Sequence, residues 1–244
     1  MKNKLEELSE QGLTPKLAAV SLNIKYPTLL KRWKKLGLPL EGSGGKNRFI
    51  HSNPFEKWNE WEQYWFGYIA GDGNVSSKKY SVAIYSQDLD HLQKYADWVG
   101  LKMLVYGKKG TVLFGHKDTH AWLIEKGITP NKSLDLKLNV PLTPHILRGI
   151  FDSDGCGRKA GNPTKITSGS LILLQQIQEY LTSQNISTVI HLQCERTYCI
   201  HIKRKSDPLF FSLLYSSSTV HMQRKYDRLK SAAQVKSGEL REKL

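Results

Sequence analysis

One pattern occurs twice in this chain and constrains everything around it. The stretches Trp65-Phe66-Gly67-Tyr68-Ile69-Ala70-Gly71-Asp72-Gly73 and Leu147-Arg148-Gly149-Ile150-Phe151-Asp152-Ser153-Asp154-Gly155 are apolar helical runs that end in a small residue, Asp and Gly. A glycine after the last helical residue is a common helix stop, so each Asp is predicted where a helix gives out. Both runs carry small residues four apart, Gly67 with Gly71 and Gly149 with Ser153. That stripe lets two helices approach closely. Packed on each other, the two helices would bring Asp72 and Asp154 together at their C-terminal ends. There the carboxylates repel each other and face the negative ends of two helix dipoles. At ~4–5 Å and an effective dielectric of about 20, the repulsion is on the order of 4 kcal/mol. A bound divalent cation reverses its sign, which makes the pair a candidate metal site.

The repeat extends beyond the motif. Asp72 and Asp154 are 82 residues apart (154 − 72), and so are Ser86 and Ser168. In the first block, Asn53-Pro54 reads as a cap and first helical residue for a helix through Trp58, Trp61, Trp65 and Tyr68 to Gly71. A strand over 80–86, a helix over 89–99, a hairpin of 103–108 and 111–115 across Lys109-Gly110, and a helix over 119–126 follow. On the first strand Val82 and Ile84 read as buried, with Ser81, Ala83 and Tyr85 outward. In the second block Thr143-Pro144 caps the motif helix. Ile166 reads as buried between outward Lys165 and Thr167. The helix over 171–181, the hairpin over 188–205 with a turn at Glu195-Arg196-Thr197, and the helix over 208–215 match their first-block counterparts. In that hairpin Ile190, Leu192, Tyr198, Ile200 and Ile202 alternate as one buried face, leaving His191, His201 and Lys203 on the polar face. The predicted fold is α+β: a pseudo-twofold core of two αββαββα-like halves, 54–140 and 141–232, before a C-terminal tail over 233–244.

Residues 1–40 read as a separate all-α unit. Leu5, Leu8, Leu13, Leu17, Ala18 and Leu22 have helical spacing, Thr14-Pro15 is a cap and first helical residue, and Leu22-Asn23-Ile24 is a short turn. A basic helix over 26–36 ends at Gly37 and Pro39. Short helix, tight turn and basic helix resemble a helix-turn-helix. Leu29, Leu30, Trp33 and Leu36 would be core, leaving Tyr26, Thr28, Lys31, Arg32 and Lys35 for DNA. Residues 41–53 form a Gly-rich linker whose Lys46 and Arg48 can track a phosphate backbone.

The two motif copies resemble those of the LAGLIDADG homing endonucleases. The second copy matches closely; the first departs, most visibly at Ala70, where the family often has an acid that serves the helix interface. The resemblance implies metal ligation by Asp72 and Asp154 and by the carbonyls of Gly71 and Ser153. It also implies a basic residue after the late helix of each half: Lys132 in the first, and Lys225 in the second with Arg224 its competitor. Ser86 and Ser168 occupy the place of a polar, water-orienting residue, so the expected catalytic set is Asp72, Asp154, Lys132, Lys225, Ser86 and Ser168. Two saddle-shaped sheets would lie in the major groove. Lys78, Tyr85, Tyr106, Lys108, Arg158, Lys165, Thr167, His191, Arg196, His201 and Lys203 would supply contacts there.

Charge agrees with a polyanionic partner. Thirty-six basic against 22 acidic residues give +14, a balance that fits nucleic acid. No apolar run is long enough for a membrane span and no signal peptide is evident, so no membrane partner is expected. An intracellular location follows, cytoplasmic or nucleoid-associated, with organellar and phage-encoded origins both open. The cysteines, Cys156, Cys194 and Cys199, form no disulfide framework, and with His191 and His201 they lack the spacing of a zinc finger or ribbon. The reading is a monomeric endonuclease that hydrolyses both strands of a long double-stranded DNA target with Mg²⁺ or another divalent cation such as Mn²⁺, Ca²⁺ being a non-catalytic substitute. By family analogy the ends carry short 3′ overhangs. The alternatives are a non-catalytic DNA-binding regulator of the same fold and a maturase acting on intron RNA.

Overall fold

The computed structural model describes residues 2–10, 15–38, 50, 52–158 and 162–239. Thr14, Lys46 and Arg48 lie outside the described residues. The chain divides into two compact units, Met1–Arg48 and Phe49–Leu244.

The first unit holds α1 (Lys2–Glu10), α2 (Pro15–Ser21) and α3 (Tyr26–Lys35). Leu5, Ala18, Ala19, Leu29 and Trp33 form its small core. Asn23 turns the chain between α2 and α3 with φ +52°, a left-handed conformation that asparagine tolerates better than most residues. Tyr26, Thr28, Lys31, Arg32 and Lys35 of α3 are all exposed.

The second unit repeats one plan. Its first half runs α4 (Glu60–Asp72), β1 (Gly73–Val75), β2 (Ser81–Ser86), α5 (Leu89–Val99), β3 (Leu104–Tyr106), β4 (Lys109–Gly115) and α6 (Lys117–Glu125). The second runs α7 (Pro144–Asp154), β5 (Gly155–Cys156), β6 (Thr164–Ser168), α8 (Leu171–Ser183), β7 (Thr188–Cys194), β8 (Thr197–Ile202), a 3₁₀ turn (Arg204–Ser206), α9 (Asp207–Tyr215) and α10 (Gln223–Glu239). Each half forms a four-stranded antiparallel sheet, in the orders β1-β2-β4-β3 and β5-β6-β8-β7. The repeat persists in register: Gly73 pairs with Ile84 and Gly155 with Ile166, each shifted by 82 (155 − 73, 166 − 84). One continuous core joins the halves, with Trp65, Phe66 and Ile69 of α4 and Leu147, Ile150 and Phe151 of α7 fully buried in it.

Several sequence expectations shift. The motif helix of the first half starts at Glu60, not after Asn53. Asn59 is its cap, accepting from the Trp61 and Glu62 amides at 3.0 and 3.4 Å while Glu62 accepts from the Asn59 amide at 3.0 Å. This reciprocal box satisfies orphan amide donors at the helix start, whereas Trp58 just before it has φ +52° and cannot be helical. The hairpin turn falls at Gly107-Lys108, since Gly107 takes φ +60° and Lys109 and Gly110 already pair in β4. Ala83 is buried, flanked on the central strand by Asn74 and Leu113. Leu192 is 62% exposed, because β7 is an edge strand and its pairing is irregular between Leu192 and Cys194. Finally, Gly73 and Gly155 end the motif helices with φ −75° and −82°, so neither serves as a left-handed stop. Space demands them instead: a Cβ on Gly73 would stand 2.6 Å from the Ile69 carbonyl oxygen, and one on Gly155 2.5 Å from that of Phe151.

Candidate active site

The two motif helices meet backbone to backbone. A Cβ on Gly67 would overlap the Ile146 carbonyl oxygen, and one on Gly149 would overlap the Tyr64 carbonyl oxygen and stand 2.6 Å from the Tyr68 nitrogen. Farther along, a Cβ on Gly71 would overlap the Ser153 hydroxyl and stand 2.6 Å from Asp154 Oδ2. The Asp154 carboxylate therefore leans across the end of α4, beside Asp72. Both acids keep one edge open to solvent. Crowding by protein and the charge of Asp72 push the Asp154 carboxyl up to about 6, against the opposing pull of Lys132 and Lys225. Desolvation also raises Asp72, countered by Lys225, Lys132 and a hydrogen bond from Tyr68.

Two buried lysines complete this floor. Lys132 Nζ donates to the Gly71 and Gly73 carbonyls at 3.1 and 2.8 Å. Lys225 Nζ donates to the Phe151 and Ser153 carbonyls at 3.5 and 3.4 Å and to that of Gly155. The shared partners are again 82 apart (153 − 71, 155 − 73). Carbonyls at a helix C-terminus lack intrahelical donors and carry the negative end of the dipole, so an ammonium is well placed there. Burial lowers both lysine pKa values; nearby carboxylates oppose it, for Lys132 foremost Asp154 of the other half. Arg224 instead makes a bidentate pair with Asp88 at 2.6 and 2.8 Å, at the surface. Of the two second-half competitors, Lys225 is the one that enters the floor.

Ser86 and Ser168 shape the chain entering α5 and α8. Their hydroxyls accept from the Asp88 and Ser170 amides, both at 3.1 Å. Ser86 also meets the Tyr68 hydroxyl. Ser168 lines an open cavity of about 220 Å³ with Gly71, Lys132, Asp154, Thr167 and Thr197.

The sheets present the expected outward groups. Tyr85 and Tyr106 are more than half exposed, and Lys78, Lys108, Arg196 and Lys203 are exposed. Lys165 reaches Gln193 at 3.1 Å. The His191 and His201 rings lie 4.6 Å apart, with Cys199 Sγ 3.2 Å from His201 Nε2. Arg158 differs: Asp207 holds it at 2.7 Å and it donates to the Ile202 carbonyl at 3.3 Å, so it braces β8 against α9. No cluster of three or more His, Cys, Asp or Glu fit to hold a metal occurs among the described residues, leaving the two-carboxylate pair as the candidate metal ligands.

Sequence reasoning passed over a buried polar hub beneath the floor. Asp152 is fully buried and accepts from the Tyr64 hydroxyl at 2.8 Å, the Tyr215 hydroxyl at 2.6 Å and the Met222 amide at 2.7 Å. Arg148, also buried, pairs with Glu60 at 2.6 Å. A signal was available: aligning the copies at 82 residues sets Arg148 and Asp152 against the apolar Phe66 and Ala70.

A family model described as LAGLIDADG-like domain matches residues 145–207. No curated protein matches the chain by sequence. Among solved structures, the homing endonuclease I-WcaI bound to its DNA recognition sequence aligns at a TM-score of 0.55 and 15% identity, over 77% of this chain and 95% of that one. The meganuclease I-AabMI bound to uncleaved DNA aligns at 0.49 and 13%, over 74% and 92%. I-DmoI in complex with DNA and Ca aligns at 0.49 and 16%, over 76% and 100%. Residues 145–207 thus match the LAGLIDADG-like domain model, and the α+β core shares the fold of the homing endonuclease I-WcaI.

Proposed function

We propose that this chain is a site-specific endonuclease that hydrolyses both strands of a long DNA duplex, acting as a monomer with a divalent cation. The observation that carries the reading is the convergence of Asp72 and Asp154 at the ends of two helices that touch backbone to backbone. Nothing in folding requires that repulsive pair. The donor set suits a hard cation: two carboxylates, with the Gly71 and Ser153 carbonyls beside them, each retaining a lone pair beyond its lysine bond. A bound Mg²⁺ or similar ion would activate water, neutralise charge on phosphorus and stabilise the leaving oxygen. Asp72 and Asp154 would hold the ion. Lys132 and Lys225 present fixed positive charge toward the phosphate as negative charge grows on it, and order water. The sheets bind the major groove through Tyr85, Tyr106, Lys108, Lys165, Arg196 and Lys203. I-WcaI, which shares the fold, is bound to its DNA recognition sequence. The basic α3 helix of the first unit adds a further DNA contact.

A regulator that reuses the fold has no need of the acid pair, so retention of both acids favours cleavage over binding alone. Incubating the protein with genomic DNA and Mg²⁺ and mapping the ends tests the reading. Paired breaks at a recurrent long sequence, lost in Asp72→Asn, are expected. Sequence-specific binding with intact strands would leave a DNA-binding protein.

A further inference from the structure

We propose that Asp152 is a positioning residue for Lys225, so that the two strands are cut by sites held in different ways. This rests on the endonuclease reading above. The segment joining α9 to α10 delivers Lys225, and polar groups of the motif helices fasten it. The Met222 amide donates to Asp152 at 2.7 Å. Arg148 donates to the Leu214 and Val220 carbonyls at 2.8 and 2.9 Å. Glu60, paired with Arg148, accepts from the Thr219 amide and hydroxyl at 2.8 and 2.9 Å. The Lys225 amide then donates to the Met222 carbonyl at 3.0 Å, so fixing Met222 fixes the turn that carries the lysine.

The Asp152 carboxylate is itself fixed from two sides. Tyr215 of α9 donates to one oxygen, and Tyr64 of α4 shares the other with Met222. Because the Tyr64 hydrogen goes to Asp152, its oxygen accepts from His91 Nε2 at 2.8 Å, which sets the imidazole tautomer and extends the hub to α5. With both Asp152 carboxylate oxygens filled, this buried polar network holds the carboxylate in one geometry. The first half has no such device. Phe66 and Ala70 stand where Arg148 and Asp152 would be, and Lys132 follows a turn anchored by the buried, apolar Ile128.

The test reads each strand separately. In single-turnover cleavage of a duplex with distinguishable strands, Asp152→Ala should slow the strand that Lys225→Met slows by about 10²-fold, a loss typical of a 1 Å misplacement. The other strand should stay within about twofold. Asp152→Asn keeps an acceptor for the Met222 amide and should recover most of the rate. Tyr215→Phe removes one donor, leaves the carboxylate in place and should show a smaller loss on the same strand, which separates positioning from folding. Equal slowing of both strands would reduce Asp152 to a structural role, and no slowing would remove it altogether. A readout free of cleavage accompanies this: reductive methylation of Lys225, followed by mass spectrometry, should accelerate in Asp152→Ala while Lys132 is unchanged. Unchanged Lys225 labelling overturns the proposal. Accelerated labelling in a protein that cuts no DNA would overturn the nuclease reading and leave the positioning role standing.

Discussion

Asp154 joins stability to chemistry. Its folded-state pKa of about 6 lies above its ordinary value of 3.8. Between those values the native protein keeps a proton that the unfolded chain has released. Stability therefore falls as pH rises from about 4 to about 6 and levels off above, softened by the solvent at the open edge of the carboxylate. A melting series in EDTA should show this fall, and Asp154→Asn should flatten it. Added Mg²⁺ should raise the melting temperature above pH 6 in the parent and far less in the Asn variant. Cleavage should rise around pH 6, where the native Asp154 ionises, because the ion needs both acids ionised. Asp72→Asn and Asp154→Asn should each abolish double-strand cleavage yet bind DNA, since the carboxylates read no base. Full cleavage by either variant in Mg²⁺ would sink the site. The lysines differ in reach, each lying under the C-terminal end of a different motif helix. Lys132→Met should slow one strand and Lys225→Met the other, each by on the order of 10²-fold. Unchanged rates on both strands would leave these lysines as helix-end caps only.

At the scale of elements, the helix pair depends on its glycines. A Cβ on Gly67 or Gly149 would meet fixed backbone of the opposite helix, whereas one on Gly71 would meet the Ser153 and Asp154 side chains, which can move. Gly149→Ala and Gly67→Ala should therefore each destabilise the core by roughly 2–3 kcal/mol, read by denaturant unfolding. Gly71→Ala should cost less stability and more cleavage, because it displaces the Asp154 carboxylate. A Gly149→Ala protein as stable as the parent would mean that the helices do not touch there. This pair was legible in sequence because both copies spell it in contiguous residues and share an 82-residue offset. The start of α4 was not, since Asn53-Pro54 and Asn59 with Glu62 both look like caps and only tertiary packing around Trp58 chooses between them. Leu192 fits an alternating strand on paper; its exposure follows from an edge position that alternation does not encode. The Asp152 hub was legible only as a polar residue at a position apolar in the other copy, for a related reason. Its donors come from Tyr64, Tyr215 and Met222, far apart in sequence, and nothing local to Asp152 announces them.

At the scale of the whole chain, the two compact units imply a division of labour. The unit over residues 1–48 carries ten Lys and Arg against four Glu, a net of +6 (10 − 4), and none of the acids or lysines of the candidate site. Its α3 helix exposes Thr28, Lys31, Arg32 and Lys35 on one side and Tyr26 at its first turn. If that side binds DNA, it does so as a second event linked to binding by the core, and it raises affinity through effective concentration. Removing residues 1–48 should then shorten the protected DNA on one side of the cut and weaken binding. It should also flatten the dependence of affinity on salt, because every phosphate left unneutralised takes about 0.9 from the slope of log K against log salt. The position of the cut should not move, since Asp72 and Asp154 both belong to the other unit. Footprinting the full-length and shortened proteins on one target across a salt series separates the outcomes. A shorter footprint with a fixed cut assigns the first unit to DNA. An identical footprint and slope would assign its basic helix to a different partner.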